Sequence, residues 1–206
     1  MNYKWLNKTN CEKLILFFNG WGMDENIVSD LDFDGYDVLM FYDYNNLSLD
    51  FDKSVLDNYK SKHIVGWSMG VMVATLFDFE HDSATAISGT PFPIHNEYGI
   101  PLKIYNLTLK GFSESSVKKF MARMFLDAPN PEKFSSRDAE NMKTELKSLA
   151  EYKPNPEFKY TRVLLPTKDC IIPTKNQINY WKDFGYEEIT SAHCPFMLYK
   201  KWSELI

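Results

Sequence analysis

At 206 residues, with 44% hydrophobic and 25% charged residues, the chain is sized for one domain with a substantial core of its own. A net charge of −5 argues against a nucleic-acid surface, since phosphate binding needs clustered Lys and Arg, and no stretch approaches the roughly 20 apolar residues that span a bilayer. Cys11, Cys170 and Cys194 form no Cys-x-x-Cys pair, and the N-terminus has no signal-peptide run, so a cytoplasmic monomer without disulfides, metal or cofactor is expected.

The predicted elements alternate. Tyr3–Leu6 reads as an antiparallel edge strand, followed by a turn over Asn7–Asn10. Leu14–Phe18 is a continuous apolar run ended by Asn19-Gly20, the pattern of a strand covered on both faces. Val38–Tyr42, His63–Trp67, Ala84–Ser88, Arg162–Pro166 and Glu187–Thr190 repeat the form. Helical patterns run over Met69–Phe79 and Thr174–Phe184. A mostly parallel sheet of about six strands flanked by helices follows from this alternation.

Residues 110–157 break the pattern, with Pro129, Pro131, Pro154 and Pro156 around two long helical stretches. Ser113 or Ser115 is placed to cap a helix ending near Phe125, and Ser135 or Ser136 another running through Tyr152. This block reads as a helical lid inserted over the sheet within a single domain, 1–206.

Gly66-Trp67-Ser68-Met69-Gly70 lies between a buried strand and a helix. A chain that turns directly from strand into helix leaves one side chain projecting from a strained position, and its neighbours must lack Cβ atoms. Ser68 is therefore a candidate nucleophile; an idle serine in a glycine-rich corner is the competing reading. A hydroxyl needs a base to take its proton, and that base needs a carboxylate to orient it. Of four histidines, His193 follows the last strand at the sheet edge where Ser68 emerges, whereas His63, His81 and His95 are placed less favourably. Asp169 follows the strand Arg162–Pro166 in the same way; Glu97 and Asp82 remain alternatives. For the oxyanion, backbone amides are expected from Met69, after the nucleophile, and from Trp21, in the loop Asn19-Gly20-Trp21-Gly22.

These residues resemble the α/β-hydrolase superfamily, and more narrowly the pimeloyl-[acyl-carrier protein] methyl ester esterases of the BioG kind. The resemblance is carried by Leu14–Asp24, Gly66–Gly70, Ser88-Gly89-Thr90-Pro91-Phe92-Pro93 and His193-Cys194-Pro195-Phe196. It implies a serine esterase acting through an acyl-enzyme in biotin biosynthesis, with a Ser68–His193–Asp169 triad and an oxyanion hole at Trp21 and Met69. It also implies a substrate site including Gly20, Trp21, Trp67, Phe92 and Phe196. Asn19 departs from the His-Gly frequent at this loop in other hydrolases. An acidic acyl carrier protein as partner implies a local basic surface, for which Lys118, Lys119, Arg123, Lys133, Arg137, Lys143 and Lys147 are candidates. A solvated helix face is the alternative, because Glu114, Asp138, Glu140 and Glu145 interleave with them. A hydrolase of free short-chain esters or thioesters, or a non-catalytic acyl-binding protein, are the rival functions.

Overall fold

The structure, a computed structural model, describes residues 1–125 and 135–206. Seven strands form one sheet in the order β1-β3-β2-β4-β5-β6-β7. They are β1 (Asn2–Asn7), β2 (Lys13–Phe18), β3 (Tyr36–Tyr42), β4 (Ser61–Trp67), β5 (Ser83–Ile87), β6 (Arg162–Pro166) and β7 (Glu187–Ile189). Only β1 runs antiparallel, against β3, so the edge strand brings the sheet to seven.

Central β2 shows why the apolar runs become strands. Successive side chains alternate faces, so a strand covered on both sides needs apolar residues at every position. Leu14 to Phe18 are all fully buried. Phe17 packs edge-on against Phe196 and Trp202, while Phe18 stacks on Phe41 at 4.8 Å. Each such side chain removed from water contributes about 1.5–3 kcal/mol.

The helix after β4 is shorter than its sequence pattern predicts: α1 covers only Gly70–Ala74. Thr75 donates its hydroxyl to the Met72 carbonyl at 2.7 Å, a local bond that competes with helix continuation. The chain then leaves the helix so that Phe77 and Phe79 stack on each other and reach Phe18. Phe79 is buried as its apolar character demands, but from a loop.

Among the described residues between β5 and β6 there are three helices rather than the expected two: α2 (Leu102–Gly111), α3 (Glu114–Met124) and α4 (Ala139–Glu151). Ser113 is the N-cap of α3, its amide donating to Ser116 Oγ at 2.8 Å. Asp138, not Ser135 or Ser136, caps α4 by accepting from the Asn141 amide. The two serines are used elsewhere, donating to the Gly22 carbonyl and to Asp24. Pro129, Pro131 and Lys133 lie outside the described residues. The last helix, α5 (Thr174–Trp181), connects β6 to β7.

The closest packing falls where α1 starts. A Cβ on Gly70 would stand 2.1 Å from the Phe18 carbonyl oxygen and 2.5 Å from that of Asn19. Backbone atoms cannot yield as side-chain tips do, so Gly70→Ala should destabilise the protein by about 3 kcal/mol, the upper range for overpacking. A urea unfolding curve measures it, with the midpoint moving down.

Candidate active site

Ser68 sits at the tip of the turn between β4 and α1 with φ +56°, in the left-handed region that L-residues rarely occupy. Its amide donates to the Ile87 carbonyl at 2.9 Å, and its carbonyl accepts from Val71 at 3.1 Å. Both bonds hold the strained turn in place, which leaves the hydroxyl as the group that projects.

Three loops at the carboxyl ends of the strands meet there. His193, after β7, places Nε2 2.8 Å from Ser68 Oγ, and its Nδ1 lies 2.7 Å from Asp169 Oδ2, after β6. The His193 and Asp169 side chains are both essentially excluded from solvent. The carboxylate is oriented on every side: Oδ1 accepts from the Ile171 and Ile172 amides at 2.7 and 3.0 Å, and Oδ2 accepts from Gln177 Nε2 at 2.8 Å. Gln177, on α5, also donates to the Ile172 carbonyl, so one side chain braces both the acid and its loop. No sequence signal marks Gln177, because its role depends on α5 packing beside β6.

The competing residues lie elsewhere. The His63 ring stands between the hydroxyls of Ser61 and Ser83 at the start of β4, His81 stacks on Phe158, and His95 stacks on Tyr98. Asp82 accepts from the Lys62 amide at the far end of the sheet. Glu97 is exposed.

Facing Ser68 is the loop Asn19–Gly22. Asn19 braces it from within, accepting from the Gly20 amide at 2.8 Å and donating to the Asp24 carbonyl at 2.9 Å. Tyr44 donates its hydroxyl to the Asn19 carbonyl, and the Trp21 indole donates to the Met142 carbonyl at 2.7 Å. A Cβ on Gly20 would meet the Trp67 ring at 2.8 Å, so the loop comes this near only with glycine there. Among the described residues, the Trp21 and Met69 amides have no acceptor.

A mainly apolar cleft adjoins this point, walled by Trp21, Met69, Ile100, Tyr105, Phe120 and Ile171, with Arg123 also on it. The Trp21 ring is held by Phe112 and Phe120 at 5.1 and 4.8 Å. Trp67, Phe92 and Phe196, expected in the substrate site, are not cleft walls. Trp67 is fully buried and donates its indole N–H to the His193 carbonyl at 3.0 Å, with Phe196 packed on its ring. Both support His193 from below. Phe92 belongs to a separate aromatic group with His95, Tyr98 and Tyr180.

Of the expected basic residues, Lys118, Lys119 and Arg123 are exposed on α3, and Lys143 is half-buried on α4. Lys119 and Arg123 line a groove between α2 and α3 that shares Ile104, Thr108 and Phe120 with the cleft. Arg137 corrects the expectation: its side chain is only 8% exposed and pairs with Asp43 and Glu145. Glu145, expected on a solvated face, is fully buried. A buried carboxylate demands a cationic partner, and Arg137 supplies it.

This sheet order, with a serine on the β4–α1 turn and His and Asp on loops after later strands, defines an α/β-hydrolase. A lipase-like protein of Acinetobacter baumannii shares the fold, with a TM-score of 0.59 at 16% identity over 94% of this chain and 81% of that one. The chain belongs to the BioG family: residues 1–205 match the family described as pimeloyl-ACP methyl esterase BioG. The crystal structure of BioG from Haemophilus influenzae has a TM-score of 0.91 at 33% identity, covering 100% of this chain and 99% of that one. A malonyl-[acyl-carrier protein] O-methyltransferase of Bacteroides fragilis is 34% identical over 187 residues; they span 85% of this chain but only 38% of that protein.

The thiols near the site differ in their environment. Burial pushes the Cys194 thiol up to about 12, whereas Cys170, next to Asp169, is exposed. Because the thiolate is the reactive form, iodoacetamide at pH 8 should alkylate Cys170 in the folded protein and leave Cys194 unmodified. Peptide mass spectrometry reads the two sites separately.

Proposed function

We propose that the protein is a serine esterase that hydrolyses the methyl ester of pimeloyl-[acyl-carrier protein], releasing methanol and the free carboxylate in biotin biosynthesis. The observation that carries this reading is the continuous chain Ser68 Oγ, His193 Nε2, His193 Nδ1, Asp169 Oδ2, with links of 2.8 and 2.7 Å, in a member of the BioG family.

In this mechanism Ser68 Oγ attacks the ester carbonyl while His193 Nε2 takes its proton. Asp169 accepts from the Nδ1–H, which keeps Nε2 free to act as base and stabilises the imidazolium that forms. The tetrahedral oxyanion is received by the amides of Trp21 and Met69, which have no competing acceptor among the described residues. The carbon–methoxy bond then breaks, His193 returns the proton to the departing methoxide, and methanol leaves an acyl-enzyme. Water, deprotonated by His193, attacks that ester and restores Ser68. General base catalysis supplies about 10²–10⁴-fold and each oxyanion donor about 10²–10³-fold.

The substrate assignment rests on three supports. The cleft beside Trp21 is apolar enough for an aliphatic chain; the groove carrying Lys119 and Arg123 continues from it; and the H. influenzae relative is a BioG protein. The methyl ester stands at the far end of the acyl chain from the carrier. A chain threaded inward along the groove therefore brings the ester to Ser68 while the acidic carrier stays outside, near the cations of α3.

Incubation with pimeloyl-carrier methyl ester should release the free acid, detected by mass spectrometry, and Ser68→Ala should lower the rate by at least about 10³-fold. Product from the Ala variant at the wild-type rate would refute the triad. Absence of both turnover and fluorophosphonate labelling would leave a non-catalytic acyl-binding protein.

Lys119→Glu should raise KM for the carrier-bound ester about tenfold, the scale of one charge-assisted contact. Its kcat/KM on a free p-nitrophenyl ester should stay unchanged. Equal efficiency of the wild-type protein on free and carrier-bound esters would instead assign free esters as substrates.

A further inference from the structure

Glu145 lies on α4, outside the triad, with its side chain wholly inside the protein. Its two oxygens reach two backbone segments, the loop Asn19–Gly22 and the chain just after β3. Oε1 accepts from the Tyr44 amide at 2.8 Å, and Oε2 accepts from the Gly22 amide at 3.1 Å and from Arg137 Nη1 at 2.8 Å. Arg137 is fixed in turn by Asp43, at 3.1 Å, and by the Asn141 side chain. Burial pushes the Glu145 carboxyl pKa up, with Arg137 and the two amides pulling the other way.

The geometry bears on one peptide unit. The Trp21 amide belongs to the Gly20–Trp21 peptide. The plane before it, Asn19–Gly20, is pinned by the Asn19 side chain accepting from the Gly20 amide. The plane after it, Trp21–Gly22, is pinned by Glu145 accepting from the Gly22 amide. Gly22 has φ +72°, so the chain reverses there and its amide turns away from the cleft toward α4. The Gly20–Trp21 peptide is itself held by the Met23 amide donating to the Gly20 carbonyl at 3.3 Å, and the bonds on either side fix the chain positions between which that peptide is strung. The same helix accepts the Trp21 indole at the Met142 carbonyl and touches the loop with Met142, whose methyl would lie 2.3 Å from a Cβ on Gly22.

Stability alone is a poor account of this network. Burying two charges costs several kcal/mol per ion before their attraction is counted, and well-packed apolar replacements are often as stable or more so. A carboxylate, however, accepts at two oxygens simultaneously, and here those oxygens serve two amides and a guanidinium.

We propose that Glu145 is a positioning residue for ester hydrolysis, holding the loop Asn19–Gly22 so that the Trp21 amide faces the oxyanion formed at Ser68. The inference rests on the esterase reading above. It makes α4 a structural part of the oxyanion hole and gives Arg137 the task of orienting Glu145.

The test separates positioning from folding by counting active sites with a fluorophosphonate and expressing kcat per labelled Ser68. Glu145→Gln retains the shape but has one acceptor oxygen, so one of the two amides loses its partner. Its kcat per site should fall about 10–100-fold, approaching the loss of one oxyanion donor. KM should change by less than about threefold, and inhibition by a trifluoromethyl ketone, whose adduct carries the oxyanion, should weaken in step with kcat/KM. The paired Glu145→Met, Arg137→Met variant should restore thermal stability but not kcat per site, because its core repacks while the amides stay unpaired. Glu140→Gln, exposed on the same helix, should match wild type.

Unchanged kcat per site in both Glu145 variants, with any loss confined to melting temperature or the number of titratable sites, would overturn the proposal. Should Glu145→Gln fail to fold, Glu145→Asp withdraws the same charge by one methylene and answers the question by the same measurement. Failure of the esterase reading is distinguishable, since wild-type Ser68 would then neither label nor turn over ester.

Discussion

The turn from β4 into α1 is the constraint on which the rest of the site depends. It places a non-glycine residue, Ser68, at φ +56° and brings the first turn of α1 against the carbonyls that end β2. Strain of this kind is retained only where the surroundings over-determine it. Here the hydrogen bond from the Ser68 amide to the Ile87 carbonyl of β5, the absence of a Cβ at Gly70 and the continuous burial of β2 all act on the same few atoms. The strain and the packing together hold the Ser68 hydroxyl at His193.

Once Ser68 is placed, the other groups come to it by layers of support. His193 is fixed from below by the Trp67 indole and beside it by Asp169, and Asp169 is fixed by two amides and Gln177. The facing loop is held from within by Asn19 and from α4 by Glu145 and the Met142 carbonyl. Residues between β5 and β6 thus serve the site in two ways. α2 and α3 line the groove and the adjoining cleft, and α4 accepts from the Trp21 indole and the Gly22 amide of the loop that faces Ser68. Asn19, a departure from the His-Gly frequent in this loop, leaves the loop ordered because its side chain supplies both an acceptor and a donor to neighbouring backbone.

Where sequence reasoning succeeded, the signal was local. Leu14–Phe18 reads as a covered strand because every position is apolar, and Ser113 reads as a cap because a helix pattern follows it. Where it fell short, the deciding partner was distant in the chain. The Met69–Phe79 pattern has the apolar spacing of a helix, yet Phe77, half-buried, and Phe79, buried, pack their rings from a loop after Ala74. Ser135 and Ser136 have the chemistry of caps, but Gly22 and Asp24 claim their hydroxyls across more than a hundred residues. Trp67 and Phe92 have the look of pocket walls, and neither lines the cleft.

By itself the sequence determined the strands, the glycine-flanked serine and the chain order of Ser68, Asp169 and His193, because each depends on residues adjacent in the chain or on the regular succession of strands and helices. Only the tertiary structure decided which charges face water. Lys119 and Arg123 stay on the groove, while Arg137 and Glu145, equally polar in the sequence, turn inward together. The reason is physical: a charge is buried only when folding delivers its partners, and those of Glu145 come from Gly22, Tyr44 and Arg137, which only the packing of α4 brings to one place.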